Sequence, residues 1–186
     1  MSRLVHTDGV VLRLVPFQDH DLILTVLTDA LGKVGVFVKG ARRPKSRFGP
    51  EIDLLTRSEF VLLDAKNTKP LREATLKAYY PTLKADYDRL HSALHGARLL
   101  SHLVHEGQRD GANLRLFLSF LDELNREDAQ VGLYELAFKL RVLDNFGTAP
   151  HLRDCLRCHK PAAPGHFSLE RGGMVCAACR ARADAA

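Results

Sequence analysis

The sequence DLILTVLTDALGKVGVFVK, residues 21–39, contains two apolar runs separated by a short polar segment. The runs DLILTVLT (21–28) and VGVFVK (34–39) are rich in the β-branched and aromatic residues that favour strands. Between them, Asp29 and Gly32 are typical turn residues. This stretch therefore predicts two successive β-strands joined by a turn.

Similar short runs lie on both sides of this stretch. They are VVLRLV (10–15), EFVLLD (59–64) and LREATLKAY (71–79), which brings the number of candidate strands to five. None of the gaps between strands fits an amphipathic helix of about 10–15 residues, which argues against a parallel sheet with crossover helices. Residues 1–80 therefore predict a small antiparallel barrel.

After Pro81 the spacing of apolar residues changes from two to the 3.6 of a helix. Helices are predicted from Thr82 to just before Gly107, from Asn113 to Leu124 and from Asp128 to Asn145. The third predicted helix carries an apolar stripe formed by Leu133, Leu136, Ala137, Leu140 and Leu143. Because residues 22–27 are apolar on both faces, we expect this helical segment to pack on the outside of the barrel.

The composition is that of an ordinary globular protein, with 46% hydrophobic and 26% charged residues among 186. Apolar runs are far shorter than the roughly 20 residues that span a bilayer. In the N-terminal MSRLVHTDG, Asp8 and Gly9 stand where a signal peptide has its apolar segment, so export is not expected. We therefore expect a cytoplasmic protein, with no membrane partner, whose thiols stay reduced.

Charge divides the chain into three parts. The net charge is +4 over residues 1–80, −2 over residues 81–150 and +3 over residues 151–186. Together with the strand and helix patterns, these shifts predict a barrel domain, a helical domain and a C-terminal module with the same bounds.

The stretch KGARRPKSRFG, residues 39–49, contains no carboxylate. Its basic residues are Lys39, Arg42, Arg43, Lys45 and Arg47, and their number equals the net charge of +5 of the whole chain. Bounded by Gly40 and Gly49 and stiffened by Pro44, they create one local positive field that suits a polyanion. Charge runs are also common in ordinary solvated loops, so composition alone leaves both interpretations open.

The four cysteines of the chain, Cys155, Cys158, Cys176 and Cys179, form the pattern C-x2-C-x17-C-x2-C. Each pair can fold as a tight knuckle, and two knuckles complete a tetrahedron of thiolates around Zn²⁺. Such a closed site is structural, because it has no open position for a substrate. Six basic residues nearby would offset the −2 charge of the zinc and its four thiolates: Arg153, Arg157, Lys160, Arg171, Arg180 and Arg182. Disulfides and metal-free thiols are the alternatives.

Base stacking on aromatic side chains usually accompanies backbone contacts in single-strand binding. Here aromatic residues make up only 7% of the chain, and Phe48 is the only one in the basic stretch. Phe17, Phe37 and Phe60 are interpreted as core residues. We therefore expect nucleic-acid binding dominated by phosphate contacts.

No catalytic motif is apparent: there is no phosphate-binding G-x-x-x-x-G-K-[ST] loop, no G-x-S-x-G elbow and no H-E-x-x-H helix. We therefore do not expect an enzyme, although a hydrolase whose groups converge from distant sequence stays open. Four histidines, His91, His95, His102 and His105, lie close together around the first predicted helix. They are interpreted as a polar helix flank, with a metal site as the alternative.

Several of these motifs in this order resemble the bacterial RecO family of DNA repair and recombination proteins. They are GARRPKSRFGP (40–50) after the third strand, FKLRVLDNFGTAP (138–150) at the end of the helices, and the two C-x2-C pairs around a Gly-Gly turn. The resemblance implies an OB-fold for residues 1–80 and a structural zinc ion on the four cysteines. It also assigns DNA binding to the basic residues of the stretch 39–49.

The resemblance further implies a non-enzymatic recombination mediator associated with the nucleoid. Such a protein binds single- and double-stranded DNA, anneals complementary strands and, with RecR, helps to load RecA onto strands covered by single-stranded-DNA-binding protein. Family members usually extend some tens of residues beyond the second cysteine pair, whereas seven residues follow Cys179 here. For this reason no residues are assigned to docking of the single-stranded-DNA-binding protein. The alternatives are an RNA-binding OB and zinc-ribbon protein, or a scaffold whose basic stretch binds an acidic protein tail.

Overall fold

The computed structural model describes residues 3–109, 111–162 and 164–181, and it confirms an α+β protein with an N-terminal five-stranded barrel. The strands are β1 (Leu4–Phe17), β2 (Asp21–Thr28), β3 (Gly32–Val38), β4 (Arg57–Leu63) and β5 (Lys69–Ala78). Their order around the closed barrel is β1, β2, β3, β5, β4. Neighbouring strands are antiparallel except β3 and β5, which are parallel.

Strand β1 is much longer than the run 10–15 predicted for it, because its first half also forms a ladder. Residues 4–10 pair with β4, from Leu4 opposite Leu63 to Val10 opposite Arg57, and residues 9–17 pair with β2. The sequence LVHTDG at residues 4–9 lacks the apolar alternation of a strand, so only the pairing reveals it. Because β1 pairs with both β2 and β4, it closes the barrel.

The core of the barrel follows the two-residue alternation of its strands. In β3, Val34, Val36 and Val38 are buried, whereas Lys33, Gly35 and Phe37 alternate with them and are only half-buried. The inward side chains of all five strands form one cluster that includes Val11, Leu24, Val26, Phe60, Leu62 and Leu71. Alternation therefore decides which side chains of each strand face solvent.

Four helices follow the barrel: α1 (Pro81–Ala85), α2 (Tyr87–Leu103), α3 (Gly111–Leu124) and α4 (Val131–Asn145). The first predicted helix is two helices, because Asp86 adopts extended backbone angles of −111° and 129°. The Asp86 carboxylate accepts a hydrogen bond of 3.0 Å from the Arg89 N–H and caps the N-terminus of α2. The apolar stripe continues through the break at Asp86, so the spacing of apolar residues did not indicate the break.

Helices α2 and α3 pack against β1, and this covers part of the outer face of the barrel. Val11 and Val26 face the core, so the neighbouring pair Val10 and Leu27 points outward, and both are completely buried. Further along the same face, Ile23 is only half-buried. The helices thus cover one end of this face and leave the other end accessible.

The stripe predicted for the third helix is only partly correct. Leu133 and Leu136 of α4 are 58% and 56% exposed, whereas Phe138 and Val142 are buried. Phe138 stacks on Phe120 of α3 with ring centroids 4.4 Å apart. Aromatic packing therefore selects a buried face that the leucine spacing alone does not indicate.

By compactness the chain divides into two units, residues 1–139 and 140–186. In the second unit a short antiparallel hairpin of β6 (Gly165–Ser168) and β7 (Gly173–Cys176) leads into α5 (Ala177–Ala181). The division at residues 80 and 150 inferred from composition stays a prediction. Within the described residues, no helix combines the length and the apolar character needed to cross a membrane.

Candidate nucleic-acid interface and metal centre

The basic stretch 39–49 lies in the connection from β3 to β4, and we call it the basic loop. All its cationic side chains are exposed: Lys39, Arg42, Arg43, Lys45 and Arg47. The loop leaves the barrel at Val38, which is completely buried in the core. The structure thus places the five predicted DNA-binding residues together on one exposed segment.

Hydrogen bonds fasten the start of the basic loop to the connection between β1 and β2. The Gly40 N–H donates to Asp21 Oδ1 at 2.7 Å, and the Arg42 N–H donates to the His20 carbonyl at 2.9 Å. A turn follows, in which the Ser46 N–H donates to the Arg43 carbonyl at 2.9 Å. Gly40 has a φ of +67°, a value that glycine adopts without strain. The backbone of the loop is therefore held at its first turn.

Apolar contacts fix the loop a second time. Ala41 and Phe48 are half-buried and pack against the core cluster of the barrel. The Arg47 guanidinium lies 4.7 Å from the centroid of the Phe48 ring, within the range of a cation–π contact. Because its small and aromatic residues face the barrel, the loop directs its charged side chains to solvent.

The positive field of the basic loop is not neutralised locally. Among the described residues, none of the five cations forms an ion pair, whereas Arg57 pairs with Asp8 at 2.6 Å and Lys84 with Asp53 at 3.0 Å elsewhere in the barrel region. The nearby Asp21 and Glu51 carboxylates accept hydrogen bonds from the backbone N–H groups of Gly40 and Gly49. Five unpaired cations on an anchored loop can bind successive phosphates or another polyanion.

The four cysteines come together at the hairpin of the second unit. Cys155 and Cys158 form one knuckle, Cys176 ends β7 and Cys179 lies in α5. All four Sγ atoms lie within 4.8 Å of one another, and Cys155 is completely buried. Gly172, with a φ of +67°, makes the turn before β7.

This group has the geometry of a four-thiolate metal site. A zinc–sulfur distance of about 2.3 Å gives a tetrahedron with edges of about 3.8 Å. The Cys158 and Cys176 sulfurs are 3.8 Å apart, and the Arg157 N–H donates to Cys155 Sγ at 3.4 Å, as in a metal knuckle. The four residues can therefore bind one metal ion and leave it no open coordination position.

The electrostatics of the cysteine group are consistent with a bound cation. Hydrogen bonding by the Cys176 backbone N–H, with that of Arg157, lowers the pKa of Cys155 to about 6. Hydrogen bonds with the Cys176 and Cys158 thiols raise the pKa of Cys179 to about 12. Four thiolates therefore coexist only when a cation compensates their mutual repulsion.

Of the predicted charge-compensating residues, Arg157 joins two parts of the cysteine module. Its guanidinium donates a 2.9 Å hydrogen bond to the Cys179 carbonyl and so links the two halves of the module. Arg182 lies outside the described residues.

The histidines do not form a comparable group. The His91 and His95 rings are 4.1 Å apart and His95 lies 3.7 Å from Glu135, but His105 follows the end of α2. Within the part of the chain that the structure describes, only the four cysteines bring three or more candidate metal ligands together. For the four histidines, a polar helix flank is therefore a simpler interpretation than a metal site.

Two aromatic residues were assigned to the wrong environment. Phe60 is buried in the core as predicted, but Phe17 is 41% exposed and Phe37 is half-buried on the outer face of the barrel. Phe37 alternates with Val36 and Val38, which occupy the inward positions of β3. The run VGVFV already contained this signal, because inward valines at residues 34, 36 and 38 put residue 37 outside.

Comparison with known proteins connects both parts of the chain to one family. Residues 1–80 match the family model described as "Recombination protein O N terminal". Residues 84–186 match the model described as "Recombination protein O C terminal".

Individual relatives bear the name "DNA repair protein RecO". The protein of Desulforudis audaxviator is 32% identical over 177 residues, which cover 95% of this chain and 70% of that protein. The protein of Symbiobacterium thermophilum is 30% identical over 180 residues, with 95% and 71% covered. The protein of Alkaliphilus metalliredigens is 28% identical over 177 residues, with 95% and 72% covered.

Proposed function

The chain belongs to the recombination protein O family, and from this membership in a family of DNA repair proteins we propose that it is a non-enzymatic recombination mediator. It binds single- and double-stranded DNA and anneals complementary strands. The observation that carries this proposal is the basic loop, where five exposed cations without ion-pair partners among the described residues lie on an anchored segment. Lys39, Arg42, Arg43, Lys45 and Arg47 are the proposed DNA-binding residues.

The loop explains how annealing proceeds without a catalytic group. Two DNA strands repel each other through their phosphates, and cations that neutralise phosphates of one or both strands lower this repulsion. Because phosphate contacts carry no sequence information, complementary strands are selected by base pairing and not by the protein. The reaction therefore needs a positive surface and no bond-breaking chemistry.

The metal bound by Cys155, Cys158, Cys176 and Cys179 is zinc in this proposal, with one ion per chain. Zinc favours four thiolates in a tetrahedron and supplies folding energy to small modules. Its role is to hold the C-terminal module together, since a closed site leaves no position for a substrate.

Family membership also suggests the partners. In this proposal the protein acts in the cytoplasm, at the nucleoid, with RecR, and it promotes loading of RecA onto single strands covered by single-stranded-DNA-binding protein. We assign no residues to these protein contacts. Two alternatives remain for the basic loop. In an RNA-binding protein the loop would prefer RNA to DNA, and in a scaffold it would prefer an acidic protein tail to DNA.

A strand-annealing assay tests the proposal. Two complementary oligonucleotides, one with a fluorophore and one with a quencher, lose fluorescence as they pair. We expect the parent protein to accelerate pairing at low salt without ATP, and Arg42→Glu with Arg43→Glu to abolish the acceleration. The control is Arg98→Glu with Arg115→Glu, which replaces two exposed arginines of α2 and α3 and changes the net charge by the same amount as the loop variant. Equal acceleration by the parent and the loop variant would contradict the proposed role of the loop.

A further inference from the structure

An accessible apolar patch lies on the outer face of the barrel, between strands β1, β2 and β3. The strand register places Val15 opposite Ile23 and Ile23 opposite Phe37. Phe17 lies two residues beyond Val15, and its ring meets the Phe37 ring edge to face with centroids 6.0 Å apart. These side chains share one face because alternate strand residues point the same way. We call Val15, Phe17, Ile23 and Phe37 the aromatic face.

The rest of the unit covers the aromatic face only partly. Phe17 is 41% exposed, and Val15, Ile23 and Phe37 are each only half-buried. Helices α2 and α3 bury the pair Val10 and Leu27 at the other end of the same sheet surface. Contiguous apolar side chains left accessible in this way often mark a binding surface.

Positive charge adjoins the aromatic face on both sides. In β3, Lys33, Gly35 and Phe37 occupy the outward positions, and Lys39 follows in the same alternation as the first cation of the basic loop. On β1, the exposed Arg13 precedes Val15 by two residues and pairs in register with Thr25. The carboxylate of Asp21, which lies next to this face, accepts a hydrogen bond from Gly40. The expected ligand therefore combines negative charge with flat apolar surfaces.

A single DNA strand meets this description better than a duplex does. Its phosphates carry the charge and its unpaired bases expose their faces, whereas in a duplex the base faces are stacked inside the helix. We propose that the aromatic face stacks unpaired bases of a single strand whose phosphates bind the basic loop, so that the protein prefers single-stranded to double-stranded DNA. This inference rests on the proposed role of the basic loop in DNA binding.

The other end of β3 provides a continuation for the strand. Beyond Phe37 the next outward residue is Gly35, which has no side chain of its own and is flanked by the Thr68 side chain, 3.6 Å from where a Cβ would lie. Gly35 borders a cleft of about 510 Å³, in which the exposed cations are Lys66 and Arg109 and Glu106 is the single carboxylate among the described lining residues. Two further lysines of the cleft are bonded within the protein: Lys33 donates to the Ser101 carbonyl at 2.5 Å, and Lys69 pairs with Asp64 at 3.0 Å. From Lys39 to Lys33 the path runs along six strand residues, roughly 20 Å. Cations thus lie before and after the stacking position.

The experiment compares binding of a labelled single strand that forms no secondary structure and of a blunt duplex of that strand with its complement, by fluorescence anisotropy at several salt concentrations. We expect Phe17→Ala and Phe37→Ala each to weaken single-strand binding by roughly 5- to 100-fold, since stacking acts on unpaired bases. Duplex binding should change less than about twofold. The salt dependence should stay the same, because these substitutions remove no phosphate contact.

Two controls keep the test decisive. Phe37 is half-buried, so Phe37→Ala can fail to fold. Phe37→Leu retains most of the apolar volume but has no aromatic ring, and this variant should still bind single strands more weakly than the parent. Tyr87→Ala removes a 78% exposed aromatic ring of α2, outside the aromatic face, and should leave binding of both DNA forms unchanged. Strands that contain 5-iododeoxyuridine should crosslink on irradiation to peptides that contain Phe17 or Phe37.

The outcomes separate this inference from the role of the loop. If Arg42→Glu with Arg43→Glu weakens both DNA forms while the phenylalanine variants bind like the parent, the stacking inference is wrong and the loop assignment stands. If the loop variant binds like the parent, the loop assignment is wrong. Equal loss of single-strand and duplex binding in Phe17→Ala would contradict single-strand preference. A change of oligomeric state in sedimentation, without a change in DNA binding, would make the aromatic face a protein interface and overturn the inference.

Discussion

The nearby carboxylates hold the backbone of the basic loop and form no ion pair with its five cations among the described residues. Asp21 and Glu51 accept hydrogen bonds from the Gly40 and Gly49 N–H groups, which fixes the loop. Sequence analysis could identify the cations and the cysteines, because charge and ligand spacing are written in the sequence. The alternation of valines in VGVFV already puts Phe37 on the outside, but sequence analysis could not place Phe17 beside it, because that depends on the register of three strands.

Gly96 illustrates how tightly the helices of the first unit pack. A Cβ added to Gly96 would lie 3.0 Å from ring carbons of Phe120 and Phe138 and 3.1 Å from Phe117. We therefore expect Gly96→Ala to destabilise the protein by about 1–3 kcal/mol through overpacking, in spite of the better helix propensity of alanine. The difference in the free energy of unfolding between the parent and Gly96→Ala, obtained from urea titrations, measures this destabilisation.

The matched control for that substitution is Gly132→Ala in α4. A Cβ at Gly132 meets no atom within 4 Å, so alanine should stabilise the helix by about 0.4–1 kcal/mol. Equal effects of the two substitutions would contradict the packing of α2 against the phenylalanines.

The cysteine module is the element for which we expect the strongest dependence of stability on a metal ion. Its hairpin has two strands of four residues each, and an isolated two-stranded hairpin is at best marginally stable. Its two knuckles bring four sulfurs within 4.8 Å. We therefore propose that a metal ion supplies the stability that so small an apolar core cannot.

Substitution of one ligand tests this dependence. We expect one zinc per chain in the parent by elemental analysis, and loss of the zinc with a lower melting temperature in Cys176→Ser. Ala178→Ser adds the same hydroxyl at an exposed position between the two ligands and should retain both the zinc and the melting temperature. A Cys176→Ser protein that melts like the parent would show that the site is dispensable for the fold.

Elements with a clear apolar period could be predicted, and those defined by tertiary contacts could not. The runs at 21–28 and 59–64 match β2 and β4 closely. The first half of β1 was missed because residues 6–8 are polar and become a strand only by pairing with β4. The break at Asp86 was missed because the apolar stripe continues through it.

The first unit combines the features that the proposed function needs. The barrel holds the basic loop through its core and through the connection between β1 and β2, and the same barrel presents the aromatic face beside that loop. Net charge alone would suggest only weak attraction to any polyanion. The concentration of unpaired cations on one anchored loop makes binding local and dependent on individual residues.

The proposed function depends on whether the basic loop binds DNA. The most direct measurement is the affinity for a labelled single strand as a function of salt, for the parent and for Arg42→Glu with Arg43→Glu. Neutralisation of about three to five phosphates predicts a slope of log affinity against log salt of roughly −2 to −4 for the parent. The loop variant should bind more weakly with a slope less negative by about 1 to 2, and Arg98→Glu with Arg115→Glu should behave like the parent.

Matched RNA and an acidic peptide, added as competitors in the same titration, test the alternative ligands. We expect that neither competitor displaces labelled DNA from the parent protein as effectively as unlabelled DNA does. Unchanged DNA affinity in the loop variant, or displacement of DNA by the peptide or the RNA at lower concentration than by DNA itself, would contradict the assignment of the loop as a DNA-binding site.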